Sequence, residues 1–528
     1  MFGTIYERMM DRARGKRLGP AVALLLTAVL SALLWYEFRL RNPTVDSNDT
    51  FRYLANGLSL LENRHPYVQA PVYSEFNDRL QPRRLVAYPN QLYSLTIGGL
   101  IETFSAATGR FVLWPIWIPG IVATALGFCF LYLLFSRFLP EPDVWLGLGL
   151  LGFHVLLMAS LTRPLSDAVG WCLTMGLFWA AVRPVSPWAL GAALGAAVLF
   201  RLQLVIFFPF LVVLSLPGAG GRCRWMAGVK AAAAAGAVVL LFEAAMHFYI
   251  RIPPGAGYEE SFGSATYYLK EWAGFVAQFG SLTRAFGTFV KSATALFLPV
   301  GVETIGLALL LSCLVWTRAS GDGRRNQARL LWLAAAAGTL LPLLLYASEN
   351  NPATAGRYQI YSIPLFVLTA LVGLNGLASF SGRPLVVAGL KVLLALLTAA
   401  GCVRFVQEAA YKRHERAPSL RSIYADLEIL PRILAGLDMP ADGLYLCKPT
   451  LQSFLPDARL VILPDRGAFV EGPRNHEFDG IITIARHKKD WVKPTPVVED
   501  DRGVRFVRVY AGRGENNLLI YKRETAAP

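Results

Sequence analysis

The sequence is short of charged residues. Asp, Glu, Lys and Arg make up 16% of its 528 residues, against about 25% in an average soluble domain. Hydrophobic residues reach 54%, and the mean hydropathy is +0.43. A chain with so little charge and so many apolar residues is neither intrinsically disordered nor an ordinary soluble enzyme.

Cysteine and metal-binding patterns are scarce as well. The six cysteines are scattered, with no Cys-x-x-Cys pair among them. This spacing excludes a disulfide framework and gives no support for a zinc site. No Asp-x-Asp motif lies near Asp49, the acidic residue that becomes important below. We therefore expect the protein to require neither a metal nor another cofactor.

Long apolar runs are what the sequence has instead. A helix of about 20 apolar residues spans a bilayer, and the runs predict a polytopic α-helical membrane protein with about eleven transmembrane helices. They lie near residues 20–35, 111–137, 144–161, 165–182, 187–200, 202–217, 226–250, 291–316, 330–347, 358–377 and 384–403. Gly191 and Gly195, four residues apart in one run, predict close helix packing.

The net charge of +15 indicates orientation and gives no reason to expect nucleic acid. The tail from residue 404 onward has 20 basic and 17 acidic residues, so +12 of the net charge lies in the preceding part. With eleven spans, the most basic short loops, around Arg222 and between Arg318 and Arg329, share a side with the basic N-terminus. The positive-inside rule then places the N-terminus in the cytoplasm and the tail outside.

The chain divides into two predicted domains, residues 1–403 in the membrane and a small α/β domain at 404–528. In the tail, apolar spacing predicts a helix that ends near Pro431. Short strands are predicted within 443–448, 459–465 and 478–486, followed by a hairpin of RFVRVY and NLLIYKR. No catalytic constellation is recognisable in this domain.

Two segments on the predicted outer side are too long for simple turns, residues 41–109 and 251–291. In the first, Asp49–Glu62 has the spacing of an amphipathic helix, which suits the membrane interface. A connection with several prolines follows. The apolar stretch Leu92–Phe104 is short for a span, so we predict a juxtamembrane or re-entrant helix.

The motifs of this first segment resemble those of the GT-C superfamily of membrane glycosyltransferases. Asp49 and Tyr53 stand in a D-x-x-x-Y helix, Pro66-Tyr67 forms the following turn, and Tyr88-Pro89-Asn90 opens the next helix. The likeness is greatest to the branch of protein O-mannosyltransferases and the aminoarabinose transferase of lipid A, and it covers about residues 20–220. Asn90 departs from the pattern, which has a second proline there.

The resemblance implies an inverting glycosyltransferase on the outer face of a bacterial inner membrane. The enzyme would move a sugar from a polyprenyl-phosphate donor to a hydroxyl of a protein, lipid or glycan, with membrane lipids as further partners. Asp49 would be the catalytic base, and Asp46 is the alternative because the acidic motif here is Asn-Asp and not Asp-Glu. The other interpretation is that Asp49 only caps the N-terminus of its helix.

Arginine suits a leaving phosphate because its planar fork donates two parallel hydrogen bonds. Arg201 is the sharpest candidate, since it sits between two apolar runs, although it could also extend to the headgroups. Asp167 opens a span, where a role at the helix start and a substrate role are both open. The predicted substrate-binding residues are Tyr53, Arg83, Arg84, Tyr88, Arg163, Arg201 and Arg357.

A secondary transporter or lipid flippase is the alternative function. Glu243 and His247 are four residues apart within a predicted span, so they face one side of its helix. A pair of this kind could form a proton site or a satisfied interhelical contact. A non-catalytic scaffold related to the enzymes is a third possibility.

Overall fold

The structure is a computed structural model, and it is mostly helical. The first predicted span and most of the segment from 251 to 310 lie outside the described residues. The structure describes residues 48–64, 67–69, 72–73, 80–81, 84–86, 91–152, 155–161, 165–183, 185–216, 221–250, 257–259, 311–316, 323–346, 359–381, 385–396, 399–400, 403, 426–440, 442–447, 451, 454–455, 458–462, 478–484, 496–499, 503–512 and 518–524.

The described residues divide into two compact units. Unit 1 contains residues 119–243 and those between 311 and 403. Unit 2 contains residues 48–118, 244–259 and 426–524. Unit 2 thus contains the described residues of the first predicted outer segment, residues 257–259 of the second and the described residues of the tail. The predicted domain boundary near residue 404 falls outside both sets and stays a prediction.

Unit 1 is a bundle of apolar helices. The helices are α3 (Ile118–Phe138), α4 (Glu141–Gly152), α5 (Val155–Leu161), α6 (Ser166–Ala181), α7 (Pro187–Phe200), α8 (Phe208–Ser215), α9 (Gly221–Tyr249), α10 (Gly323–Tyr346), α11 (Ile363–Ser381) and α12 (Leu385–Leu396), with 3₁₀ turns at Leu202–Phe207, Cys313–Trp316 and Gln359–Tyr361. A further 3₁₀ turn, Trp114–Trp117, belongs to unit 2 and precedes α3. Trp171, Phe135 and Phe178 are fully buried in its core.

The predicted close packing at Gly191 is confirmed. A Cβ atom on Gly191 would lie 2.1 Å from the carbonyl oxygen of Ala231, and one on Gly195 would lie 2.7 Å from that of Ala235. Contacts this short leave no space for a side chain, so the backbones of α7 and α9 touch. The spacing of two glycines four residues apart therefore identified a real helix interface.

Two described helices are long and apolar enough to cross a membrane, Trp114–Phe138 and Cys223–Tyr249. Shorter apolar helices lie at Pro187–Phe200, Leu202–Ser215, Ile363–Leu377 and Leu385–Leu396. These helices fall within predicted spans. The total number of spans stays a prediction, because several predicted spans lie partly or wholly outside the described residues.

Unit 2 opens with two helices that pack in tight contact. The predicted amphipathic helix is confirmed as α1 (Asn48–Asn63), and the short apolar stretch forms α2 (Gln91–Thr108). Gly57 and Gly98 bring the two backbones together, since a Cβ on Gly57 would lie 2.1 Å from the Ser94 carbonyl oxygen. The two helices therefore move as one body, and the position of α1 depends on that of α2.

The strands of unit 2 form two sheets. They are β1 (Tyr67–Gln69), β2 (Val72–Tyr73), β3 (Leu80–Gln81), β4 (Arg84–Val86), β5 (Gly257–Glu259), β6 (Leu444–Cys447), β7 (Arg459–Ile462), β8 (Gly480–Ile484), β9 (Val497–Glu499), β10 (Arg505–Ala511) and β11 (Leu518–Arg523). One sheet has the order β1-β4-β5, and the other β3-β2-β7-β6-β8-β11-β10-β9. The strands predicted in the tail and the β10–β11 hairpin are confirmed.

The helix predicted before Pro431 lies mostly outside the described residues. The apolar spacing predicted a helix that ends near Pro431, whereas α13 (Leu430–Gly436) begins there, after a helical turn at 426–428. Proline is favoured in the first turn of a helix, because the N–H it lacks has no intrahelical partner at that position. Pro431 therefore opens a second helix, after a helical turn that ends at residue 428.

Candidate functional site

Arg201 lies at the point where the helix α7 ends. Its backbone is extended, with φ −159° and ψ 108°, and a 3₁₀ turn follows directly. The break in helical structure leaves the side chain between two apolar helices. Even so, Arg201 is only 2% exposed. A guanidinium that extended to headgroups would not be enclosed by protein, so the structure disfavours the snorkelling interpretation.

The guanidinium of Arg201 contacts the first turn of α6. Its Nη2 lies 2.6 Å from Oδ1 of Asp167, and its Nη1 donates a hydrogen bond of 2.8 Å to Oγ of Ser166. Asp167 is completely buried. A carboxylate in the first turn of a helix is stabilised by the helix dipole, and a buried carboxylate also needs a cation. We call Arg201 and Asp167 the outer pair, after the side of the membrane on which the sequence predicts them.

The space around the outer pair depends on a glycine and a tyrosine. The guanidinium carbon of Arg201 lies 5.7 Å from the ring centroid of Tyr361, close enough for a cation–π contact. A Cβ on Gly170 would lie 2.8 Å from Cδ of Arg201 and 3.0 Å from the Tyr361 hydroxyl oxygen. Only glycine therefore fits at position 170 without displacing these side chains.

The outer pair agrees with the predicted alternation of the spans. Asp167 and Tyr361 lie near the start of their predicted spans, and Arg201 follows directly after the end of another. The predicted alternation of spans places all three of these ends on the outer side. The structure brings these three ends together. Sequence reasoning considered Asp167 and Arg201 separately and missed Ser166 and Tyr361. Their shared predicted side was the available signal.

A second charged cluster joins helix ends that are predicted on the inner side. Nζ of Lys391 donates to Oδ2 of Asp143 at 2.8 Å and to Oδ1 of Asn375 at 2.6 Å. Nδ2 of Asn375 donates to the same Asp143 oxygen at 2.7 Å. These contacts connect α4, α11 and α12 in a closed ring of three side chains, which we call the inner ring.

The remaining predicted site residues are in unit 2 or outside the described part of the chain. Asp49 lies in the first turn of α1, and Arg84 lies on β4 in register with Gln69. Tyr53 is buried between α1 and α2, where its ring meets that of Tyr93 edge-to-face at 5.1 Å. Its ring therefore takes part in helix packing. The residues outside the described part of the chain are Asp46, Arg83, Tyr88, Arg163 and Arg357.

The pair that motivated the transporter hypothesis is exposed. Glu243 and His247 both lie on the exposed surface of α9. A proton pathway requires ionisable groups inside the bundle or along a water-filled cavity. The structure therefore does not favour an enclosed proton site at these two residues, and it does not show the satisfied interhelical contact.

No group of three His, Cys, Asp or Glu side chains that could hold a metal occurs among the described residues. Two side chains of the tail strands that could act as nucleophiles, the Cys447 thiol and the Tyr445 hydroxyl, have raised pKa values. Burial raises the pKa of the Cys447 thiol to about 12, and burial beside Asp479 and Asp442 raises the pKa of Tyr445 to about 12. Neither group is ionised near neutral pH, so both fill the core of the tail.

Comparison with known proteins gives structural neighbours but no sequence relatives. No protein-family profile matches the chain, and no curated protein matches its sequence. A similar solved structure is ArnT from Cupriavidus metallidurans bound to undecaprenyl phosphate, with a TM-score of 0.44 and 13% identity over 95% of this chain and 98% of ArnT.

The Archaeoglobus fulgidus oligosaccharyltransferase in its apo form also has a TM-score of 0.44 and 13% identity, over 86% of this chain and 66% of that one. The same archaeon's oligosaccharyltransferase AglB, in complex with an inhibitory peptide and a dolichol-phosphate, has a TM-score of 0.40 and 11% identity, over 88% of this chain and 69% of AglB. No residue role is carried over at these scores.

Proposed function

We propose that the protein is an inverting glycosyltransferase that uses a polyprenyl-phosphate sugar. The acceptor is a hydroxyl on the outer face of a bacterial inner membrane. The observation that supports the proposal most is the burial of the Arg201 guanidinium at the predicted outer end of its helix. A charge enclosed between apolar helices is costly and usually serves a function. The ordered motifs from Asp49 to Asn90 give the reaction class.

The proposed reaction is a single displacement at the anomeric carbon. The carboxylate of Asp49 takes the proton of the acceptor hydroxyl, whose oxygen attacks the anomeric carbon. The bond from that carbon to the phosphate oxygen breaks on the opposite face, which inverts the anomeric centre. The lipid leaves as a polyprenyl monophosphate and carries the additional negative charge.

Arg201 offsets that developing charge in the proposed mechanism. A fixed cation in a site of low dielectric stabilises a developing anion more than a mobile one in water. Asp167 and Ser166 set the direction of the guanidinium, and Gly170 leaves the space that it occupies. Asp167 is thus a positioning residue, and Asp49 is the proposed base.

The direct test is a transfer assay with purified protein in lipid nanodiscs. Radiolabelled undecaprenyl- and decaprenyl-phosphate sugars serve as donors, and membrane extract supplies acceptors. We expect label to move from the donor to the acceptor fraction, and Asp49→Asn to reduce the rate by a factor of about 100 or more, the range of general base catalysis. Wild-type protein that transfers none of these sugars would contradict the proposal.

Glu62→Gln is a matched control for Asp49→Asn, because it also removes one carboxylate from α1. Glu62 is exposed near the other end of the helix. We expect this variant to keep the wild-type rate. If Asp49→Asn keeps it as well, Asp49 is not the base, and Asp46→Asn is then the variant to test.

A further inference from the structure

The first outer segment and the tail are fastened together at two places. Strand β2 of the first segment pairs in parallel with β7 of the tail, with Val72 in register with Ile462. Further along, the backbone N–H of Leu113 donates a hydrogen bond of 2.8 Å to Oε1 of Glu428. Next to this bond, the rings of Phe111 and Phe454 meet edge-to-face with their centroids 6.0 Å apart.

These two attachments lie on either side of α2. β2 precedes the helix in the chain, and residues 111–113 follow it. Phe104 near the end of α2 also packs edge-to-face on Trp114, with ring centroids 4.7 Å apart. The tail therefore holds the residues that follow α2, and the Phe104–Trp114 ring contact connects them to the last turns of the helix.

The fastening of α2 extends to the helix that carries Asp49. α1 touches α2 at the Gly57–Gly98 backbone contact and at the Tyr53–Tyr93 ring contact. A shift of α2 therefore shifts α1. Positioning of a catalytic group to within about 1 Å matters greatly for rate.

From this chain of contacts we propose that the tail sets the position of the Asp49 helix, and that Glu428 is the positioning residue that connects them. The consequence for catalysis rests on the proposed glycosyl transfer. The docking itself does not, because it follows from contacts within unit 2. The tail is then a structural part of the site and not a separate module. Glu428 suits this role, because a carboxylate bound to a backbone N–H forms a strong, directional hydrogen bond.

The test uses the full chain in nanodiscs, one disruptive variant and two variants that should behave as the wild type. Glu428→Ala removes the acceptor, whereas Glu428→Gln keeps an oxygen that can accept from the Leu113 N–H. Glu524→Ala is the control, since Glu524 is another acid of the tail, which is half exposed and pairs with Arg505. Hydrogen exchange of the α2 amides is measured first.

We expect Glu428→Ala to accelerate exchange of the α2 amides by about tenfold, which corresponds to the loss of roughly one such hydrogen bond. Glu428→Gln and Glu524→Ala should match the wild type. In the transfer assay, Glu428→Ala should lower kcat and leave the KM for the donor unchanged, and Glu428→Gln should restore kcat. A merely structural role in the tail would lower the amount of folded protein without this split.

Phe111→Leu covers the case in which Glu428→Ala does not fold. It weakens the same attachment from the side of the loop and leaves the tail intact. Unchanged α2 exchange in every variant that folds would overturn the proposal. If exchange responds as expected but wild-type protein transfers no sugar, the docking stands and the proposed function fails.

Discussion

The outer pair and the inner ring are both buried ion pairs between helices of unit 1, but they differ in how they are enclosed. Arg201 and Asp167 are 2% and 0% exposed. Lys391 is 26% exposed, and its charge is shared by Asp143 and Asn375 in a closed set of hydrogen bonds. The inner ring is thus partly exposed, whereas protein encloses the outer pair almost completely.

The difference in exposure distinguishes a structural contact between helices from a group with a role in the reaction. In the inner ring each side chain satisfies the other two, which suits a contact that holds three helices in register. The outer pair is enclosed at greater cost, beside a tyrosine ring and in a space that a glycine leaves open. Replacing such a pair by apolar residues of similar volume is often neutral or stabilising, so stability alone does not explain its presence.

The largest effect should come from breaking the outer pair. We expect Arg201→Met to destabilise the protein by about 3–5 kcal/mol, because it removes the cation 2.6 Å from a completely buried carboxylate. Arg201→Met combined with Asp167→Leu should recover most of the stability and none of the transfer activity. Thermal unfolding in detergent and the transfer assay measure the two effects. A double variant that regains activity would mean that the pair is only structural.

The space beside the outer pair can be filled without any change of charge. Gly170→Ala places a methyl group 2.8 Å from Cδ of Arg201, so we expect a loss of about 1–3 kcal/mol and reduced transfer. Gly236→Ala in α9 is the control, since its Cβ would have no atom within 4 Å. Alanine should stabilise that helix by up to about 1 kcal/mol. Equal effects at both positions would contradict the crowding around Arg201.

The inner ring should tolerate the matching substitution better. We expect Lys391→Met to cost about 1–3 kcal/mol, because Asn375 still donates to Asp143 and the site is partly exposed. Transfer activity should equal that of the wild type at temperatures where the variant is folded. A loss of activity without a loss of stability would show that the inner ring takes part in the reaction.

A buried acid whose partner is a hydroxyl gives the smallest expected effect. Burial raises the pKa of Asp426 despite a hydrogen bond from Tyr510. The folded tail then binds this proton more tightly than the unfolded chain does. The contribution to stability is present below the unfolded pKa of about 3.9 and is lost as pH rises through the raised pKa. Asp426→Asn should therefore flatten the fall in tail stability as the pH rises above about 4, as measured by thermal unfolding.

Sequence patterns predicted local structure well where one periodicity dominated. The amphipathic spacing after Asp49 gave α1, and alternating residues in the tail gave β6 to β8 and the β10–β11 hairpin. At Pro431 the spacing predicted only the end of a helix and not the start of the next one, because proline occurs at the start of a helix as well as after its end.

Contacts between distant parts of the chain were harder to predict. Nothing local in the two residues of β2 indicates that they pair with β7 and extend the sheet of the tail. For the site, the sequence singled out Arg201 and Asp167 but not their contact, because pairing depends on how α6 and α7 pack. The predicted outer side of both residues was the one signal that linked them.

The most direct test of the central claim is the transfer rate of two variants that conserve charge. Arg201→Lys keeps the cation of the outer pair and loses the planar fork, and Lys391→Arg makes the reverse change in the inner ring. We expect Arg201→Lys to lower kcat/KM for the polyprenyl-phosphate sugar by about tenfold or more, and Lys391→Arg to leave it unchanged. Equal rates for both variants and the wild type would contradict the role of Arg201 in holding the leaving phosphate.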